Sequence, residues 1–583
     1  MRAGTGPSRR HPKAFRGPVR APPGTSLVQS APLTLGSGGC AGRARRGGRR
    51  GAGAPIMRRT LLLALLGALW TGLALASASH AQDEEIVREF KKYFRKYKDT
   101  PTRVEAVLAL EGTESTSVVE ALSDVLPDAE PDVARAAVRV LAAFRTRPPI
   151  DALLSELESN KREPVRLALL QAVAAARYQG ATEAVAALLA DKSWEIRRRA
   201  VEALASSAPP VAAQEAPAGE PAGTEVVPVD ACILPLTSDG EPAVRCAALD
   251  ALAGLRSALV VAPAQAALSD PVWQVRASAI HALGVVRRVE SIPLLIERMA
   301  LEEGRLVADI GEALGEISGR NFGQRLEGWQ QFWATFGERF VIPSDEELAK
   351  LREAQARSRE KYSPPGAVSY HGIETPSRRI VFVIDVSGSM ESEVVDKERF
   401  EAGEYPSMLR IDIVKTELVR TLEKLESYVE FNVLAFATDV MSWKTTLVAA
   451  NVLNKSSAMD WVGRLEALGG ASKEDLARAG LVGAANLEAG KTNTHAALMA
   501  ALGVEPGARK DDYEVALDTI FFLSDGRPSH GEYVDPDDIL REVRAVNELR
   551  KVVIHTIAIG EFQKEFMRQL ALQNGGVFVD LGR

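Results

Sequence analysis

Apolar positions along this chain fall into two textures. From about residue 83 to 340 they recur at helical spacing in units of nearly constant length. Arg135, Arg166, Arg197, Arg245 and Arg276 sit in the contexts DVARAAVRVL, EPVRLALLQAV, WEIRRRAVEAL, PAVRCAALDAL and WQVRASAIHAL, at successive spacings of 31, 31, 48 and 31 residues. A sixth copy, LVADIGEALG, comes 31 residues further on, with Val307 in the arginine's place. Val173, Leu204, Leu252, Leu283 and Leu314 each stand seven residues after their markers, on one stripe of a helix. A unit of this length holds two short helices and two turns. It cannot bury its stripe alone, so neighbouring units must stack into a curved solenoid. The long spacing carries a Pro/Ala/Glu-rich insert at about 208–228, a loop by composition. Because the arginines recur with the structural period, they read as ties between units or caps on helix carbonyls rather than as a binding ladder. Trp329, Phe332 and Trp333 close the array as an apolar cap. A charged helical stretch and the linker SPPGAVSYHGIETPSRR follow, so residues 341–377 separate the solenoid from what comes next.

From Arg379 the texture changes. Ile380–Ile384, Phe431–Phe436, Thr519–Leu523, Val552–Ile559 and Val577–Val579 read as strands. Ile411–Leu425, Ala496–Leu502, Asp538–Leu549 and Gln563–Gln573 read as the helices between most of them. This alternation predicts a doubly wound, mainly parallel sheet, in which ligands sit beyond the carboxyl ends of strands. The first run is followed by DVSGSM, with Asp385, Ser387 and Ser389. Alternating oxygen-bearing side chains on a glycine-containing turn can converge on one point. Their oxygens are hard ligands, suited to Mg²⁺, Mn²⁺ or Ca²⁺ rather than zinc. SDGRPSHG places Asp525 at an equivalent carboxyl end, and GKTNTHAAL places Thr492 in a loop that opens a helix.

These elements, FVIDVSGSM, then Thr492, then FFLSDG, resemble the metal-ion-dependent adhesion site of von Willebrand factor type A domains, over residues 378–583. The helical array is similar to short HEAT-like repeats of the phycobilisome-lyase type. The fold class expected is therefore multidomain: an all-α HEAT-like solenoid followed by an α/β doubly wound domain. The resemblance implies direct ligation of a divalent ion by Ser387 and Ser389. It implies ligation by Thr492 directly or through water, and support from Asp385 and Asp525, with an acidic side chain of a protein partner completing the shell. This chain departs from the family in two places. The family often runs GGT directly, whereas here Gly469 and Gly470 precede Lys491 and Thr492 by about twenty residues, which leaves Thr494 as an alternative ligand. An extension at roughly Glu393–Pro406 follows the metal turn and borders the site.

Charge changes the picture at the amino end. Met57 opens MRRTLLLALLGALWTGLALASASHAQDEE, the pattern of a secretory signal peptide with cleavage before Gln82 or a little earlier. Left uncleaved, its apolar run approaches a membrane-spanning length. Residues 1–56 read as an extension outside the native protein or as an Arg-rich transit peptide. Residues 1–81 hold 13 of the 71 basic residues and none of the 77 acids, so the remainder carries a net charge of −19. So acidic a protein lacks the cationic surface that nucleic acid requires. Cys40 falls in the leader, while Cys232 and Cys246 read as buried thiols or as a facing pair. His281, His371, His495, His530 and His555 form no tight catalytic spacing, which argues against an enzyme. The expectation is an exported, periplasmic or extracellular binding protein. A scaffold acting through its solenoid, with the ion only stabilising, is the alternative.

Overall fold

The repeat period becomes stacked helix pairs in the computed structural model. The residues it describes are 82–128, 130–208, 228–357, 368–398, 400–467, 490–504, 515–560 and 564–581. The signal segment, most of the insert, the middle of the linker and the Gly469–Gly470 pair lie outside them. All described residues belong to one compact unit.

The six marker-bearing helices are α1 (Pro131–Ala142), α2 (Glu163–Ala176), α3 (Trp194–Ser207), α4 (Pro242–Gly254), α5 (Trp273–Val286) and α6 (Arg305–Ser318). Each packs on the next, and a second layer that includes Thr116–Val125, Arg147–Ser159 and Ser291–Met299 lies behind them. Proline in the first turn starts α1, α2 and α4, where its missing N–H costs no hydrogen bond. Val173, Leu204, Leu252, Leu283 and Leu314 are all buried in one continuous core. Trp329 and Phe332 close that core, with Phe322 edge-on to Trp329 at 4.9 Å between ring centroids.

The recurring arginines are ties between units. Arg197 reaches both carboxylate oxygens of Asp239 at 2.8 Å, and Arg245 reaches those of Asp270 at 2.9 and 3.0 Å. Their Nη1 atoms donate back to the carbonyls of Asp191 and Asp239 in the turn before their own helix. Arg166 pairs with Asp191 at 2.6 Å and Arg276 with Glu302 at 2.5 Å. Arg135 differs and leaves the array, as described below. Cys232 and Cys246 are both free thiols.

The linker region ends in structure that its pattern did not predict. β1 (Val368–Tyr370) and β2 (Ile373–Thr375) form an antiparallel hairpin. His371 and Gly372 supply the two positive φ angles, 48° and 81°, that a tight two-residue turn requires. Tyr370 packs edge-on to Phe382 and Phe521. Strands of three residues are too short to show an alternation in sequence.

The main sheet runs β5-β4-β3-β7-β8-β9, comprising β3 (Arg379–Asp385), β4 (Glu430–Phe436), β5 (Val440–Ser442), β7 (Thr519–Ser524), β8 (Val553–Ala558) and β9 (Phe578–Asp580). β6 (Val448–Ala449) also pairs with β4, and β5 and β6 are antiparallel to it, while all other pairings are parallel. Alternate residues of β3 face opposite cores. Ile380, Phe382 and Ile384 join α7 (Arg410–Lys424) and α8 (Val452–Gly463). Val381 and Val383 join α9 (Thr494–Ala501), α10 (Pro536–Arg550) and α11 (Lys564–Gln573). The sheet is therefore doubly wound. The chain crosses from β4 over β3 to β7, so the strand order reverses beside the carboxyl end of β3, which is where such folds leave a crevice.

This domain packs against the marker helices of the solenoid through α10. Arg135 of α1 pairs with Glu542 at 2.7 Å and stacks over the Tyr533 ring. Arg198 of α3 reaches Glu548 at 3.4 Å, and Asp250 of α4 pairs with Lys551. Arg305 of α6 donates to the Lys551 carbonyl. The solenoid thus grips one helix and its capping residue Lys551 with residues from four of its units.

Candidate metal centre

Three loops meet at the switch point. The first leaves β3 at Asp385 and turns into a short 3₁₀ segment, Gly388–Glu391. The second precedes α9 and carries Thr492. The third leaves β7 and carries Asp525 and Gly526. Backbone bonds lock them together. Val386 N–H donates to Phe436 O, Gly388 N–H to Gly490 O, and Asn493 N–H to Ala437 O. Thr492 N–H donates to Ser529 Oγ at 2.9 Å, and Ser529 N–H donates back to Thr492 O.

Within this frame the side chains form a connected set of oxygens. Asp385 is fully buried; its Oδ1 accepts from Ser387 N–H at 2.8 Å and its Oδ2 from the Ser524 hydroxyl at 2.6 Å. Ser387 Oγ lies 3.2 Å from Ser389 Oγ, and Ser389 Oγ donates to Asp525 Oδ1 at 2.7 Å. A Cβ built on Gly526 would lie 3.1 Å from Thr492 Oγ1, 3.3 Å from Ser389 Oγ and 3.6 Å from Asp385 Oδ2. Oxygens from the first two loops therefore face one small hollow over Gly526 of the third, kept open by the absent side chain. Thr492, not Thr494, presents the hydroxyl there. Ser389 is exposed and marks the open side, while Asp385, Ser387, Thr492 and Asp525 are buried.

Burial, and next the neighbouring Asp525 charge, push the Asp385 carboxyl up to about 7 against the hydrogen bonds from Ser387 and Ser524. Two acids packed this closely favour a cation between them. One cation is already present in the protein: Arg410 Nη1 lies 2.5 Å from Asp525 Oδ2. It grips Oδ2 and leaves Oδ1 on Ser389. No group of three His, Cys, Asp or Glu side chains converges among the described residues. This hollow is instead built from two carboxylates and hydroxyls.

Sequence reasoning missed Arg410, Ser524, Gly526 and Ser529. Gly526 and Ser524 flank Asp525 in the motif itself. Arg410 carries no local signal, because it reaches the site only after the excursion at 393–409. That excursion folds back through the Glu393–Leu409 bridge and the bond from Arg410 N–H to Ser392 O at 3.0 Å. Two of the histidines are buried in packing contacts. His495 lies edge-on to Tyr533, and His555 stacks on Phe521 while its Nδ1 accepts from Val577 N–H.

Residues 378–580 match the family model of the von Willebrand factor type A domain, and residues 150–215 and 231–315 match that of HEAT repeats. Human inter-alpha-trypsin inhibitor heavy chain H4 is 27% identical over 209 residues, covering 35% of this chain and 18% of its own. Heavy chain H1 of Mesocricetus auratus is 28% identical over 34% of this chain and 18% of its own. Human von Willebrand factor A domain-containing protein 3A is 28% identical over 34% of this chain and 13% of its own. The chain thus spans less than a fifth of the length of these relatives. The complex of CpcE and CpcF of phycocyanin lyase from Nostoc aligns with a TM-score of 0.24 and 18% identity, over 47% of this chain and 94% of that one, which is too loose to bear on activity. The carboxyl-terminal part of this chain is accordingly a von Willebrand factor type A domain, carried behind an array of HEAT repeats.

Proposed function

We propose that this is an exported, non-enzymatic binding protein whose type A domain captures an acidic group of a partner protein through a divalent cation. Mg²⁺ is the first choice, with Mn²⁺ and Ca²⁺ open to the same oxygen donors. Ser387 and Ser389 would hold the ion directly with their hydroxyls, Thr492 directly or through water, and Asp385 and Asp525 mainly through water or by holding the shell in place. When bound, the ion supplies an open coordination position for an Asp or Glu carboxylate of the partner. The observation that carries this reading is the hollow beside Gly526, where oxygens of the Asp385–Ser389 turn and of Thr492 meet over the loop that carries Asp525, whose Oδ1 accepts from Ser389. A non-catalytic role is supported by the packing of His495 and His555. It is supported too by the name of the heavy-chain relatives, which is that of an inhibitor subunit rather than an enzyme. Export rests on the segment 57–81, with the solenoid over 83–340 offering a second docking surface and 341–377 joining it to the domain.

Titration calorimetry of the full chain with Mg²⁺ tests the site. Asp385→Asn keeps the shape and the hydrogen-bond acceptor but removes a charge, and should lower affinity at least about tenfold with the fold intact. Unchanged affinity removes the site assignment. Capture of exported proteins with magnesium and with chelator then separates the two roles, since partners that stay bound under chelation belong to a solenoid scaffold.

A further inference from the structure

Among the described residues Arg410 is the cation paired with a carboxylate of the centre, and it lies outside the motifs that carry the family resemblance. It is the first residue of α7, brought back to the metal turn by the excursion at 393–409. Its Nη1 lies 2.5 Å from Asp525 Oδ2, with the two side chains 10% and 0% exposed. The same nitrogen lies 3.5 Å from Ser389 O. A Cβ on Gly560 would lie 3.0 Å from Asp525 O and in ordinary contact, 3.4 Å, with this nitrogen of Arg410. Its buried Nε has no hydrogen-bond partner among the described residues.

The charge count follows from these neighbours. Counted as they would stand around a bound ion, with both carboxylates deprotonated, Asp385, Asp525 and Arg410 sum to one negative charge. A divalent ion added to them leaves one positive charge in a site buried on all but the Ser389 side. Without the guanidinium, the loaded centre would be neutral. An uncompensated charge in such surroundings is costly until an opposite charge arrives.

We infer that Arg410 is the specificity-determining residue of the centre. It is a tethered cation that holds Asp525 in place before the ion arrives, weakens the ion's hold by repulsion, and leaves the loaded site selective for a singly negative, carboxylate-type ligand over a neutral one. The inference rests on the metal reading above and adds to it the reason an anion is chosen. A guanidinium already bonded to Asp525 has one oxygen of that carboxylate to itself, and the ion competes only for the other.

The test uses Mn²⁺ as the ion, with acetate and acetamide as probes, on the full chain. Mn²⁺ uptake is followed by its electron spin resonance, and ligand entry by the loss of water-proton relaxation enhancement. Arg410→Gln should bind Mn²⁺ about tenfold more tightly and acetate about tenfold more weakly than wild type, while Arg410→Lys should stay near wild type. The melting temperature of Arg410→Gln should be lower without the ion and should rise more with it. Equal or weaker Mn²⁺ binding by a folded Arg410→Gln overturns this inference alone. If neither protein takes up the ion, the metal reading falls and takes this one with it; uptake by the variant only supports the tethered cation. Should the variant fail to fold, wild type still decides: loaded protein that admits acetamide as well as acetate refutes the selectivity.

Discussion

Replacing Gly526 with alanine probes the centre with a single carbon atom. That carbon would meet Thr492 Oγ1 at 3.1 Å, Ser389 Oγ at 3.3 Å and Asp385 Oδ2 at 3.6 Å. The two hydroxyl contacts are tight but relieved by small rotations, so overpacking costs about 1–2 kcal/mol. Gly526 is not among the glycines with positive φ, so alanine fits its backbone and offsets about 0.4–1 kcal/mol by restricting the unfolded chain. The net loss of stability is about 1 kcal/mol, or roughly 2–4 °C in Tm for a domain of this size. An ion, by contrast, would bond these oxygens at about 2.1 Å and cannot share their hollow with a methyl group. At a concentration of about one hundred times its Kd, an ion stabilises the native state by about 2.7 kcal/mol. This corresponds to a rise of roughly 5–10 °C. Differential scanning calorimetry with and without Mg²⁺ should therefore show that rise in wild type and none in Gly526→Ala, the two ion-free melts lying close together. A variant that keeps the full rise would place the ion elsewhere and refute the reasoning.

Two further outcomes concern the frame around the site. Arg305 donates to the Lys551 carbonyl, pairs with Asp309 at 3.2 Å and lies over the Trp273 ring. Arg305→Ala leaves Asp309 without its partner at the junction of solenoid and domain, a loss of roughly 3 kcal/mol. Calorimetry should then resolve two unfolding transitions, and a single transition at the wild-type temperature would show that Arg305 does not couple the two. His555, held down to about 4 chiefly by burial and then by the Arg305 charge, gives a pH dependence. The unfolded imidazole takes a proton near its usual 6.5 and the folded one only near 4, so the unfolded chain binds more protons between those values. Stability should therefore fall on acidification through that window, by roughly 3 kcal/mol in all. His555→Gln should flatten the decline in Tm from pH 7 to 4, and parallel profiles would count against the assignment.

Much of this architecture was legible because its signals are local. A 31-residue period needs only neighbours to stack, so the apolar stripe and the tie-forming arginines announce themselves in the chain. The strands Arg379–Asp385, Glu430–Phe436 and Thr519–Ser524 are buried on both faces and read as largely apolar runs rather than alternating ones. The hairpin at 368–375 and the pair β5 and β6 escaped notice because two or three residues hold no period. The helix Val452–Gly463 escaped because its apolar positions form no clear stripe.

By itself the sequence determined the two textures, the order of helices and strands, and which oxygen-bearing turns stand at strand ends, since each depends on residues within one or two turns of each other. Only the tertiary structure decided that Thr492 rather than Thr494 faces the hollow, that Arg410 returns to Asp525 across 115 positions, and that the solenoid grips α10. Those relations join residues far apart in the chain. What brings them together is the crossing of the sheet and the return of a long loop, and neither leaves a pattern in the residues it joins.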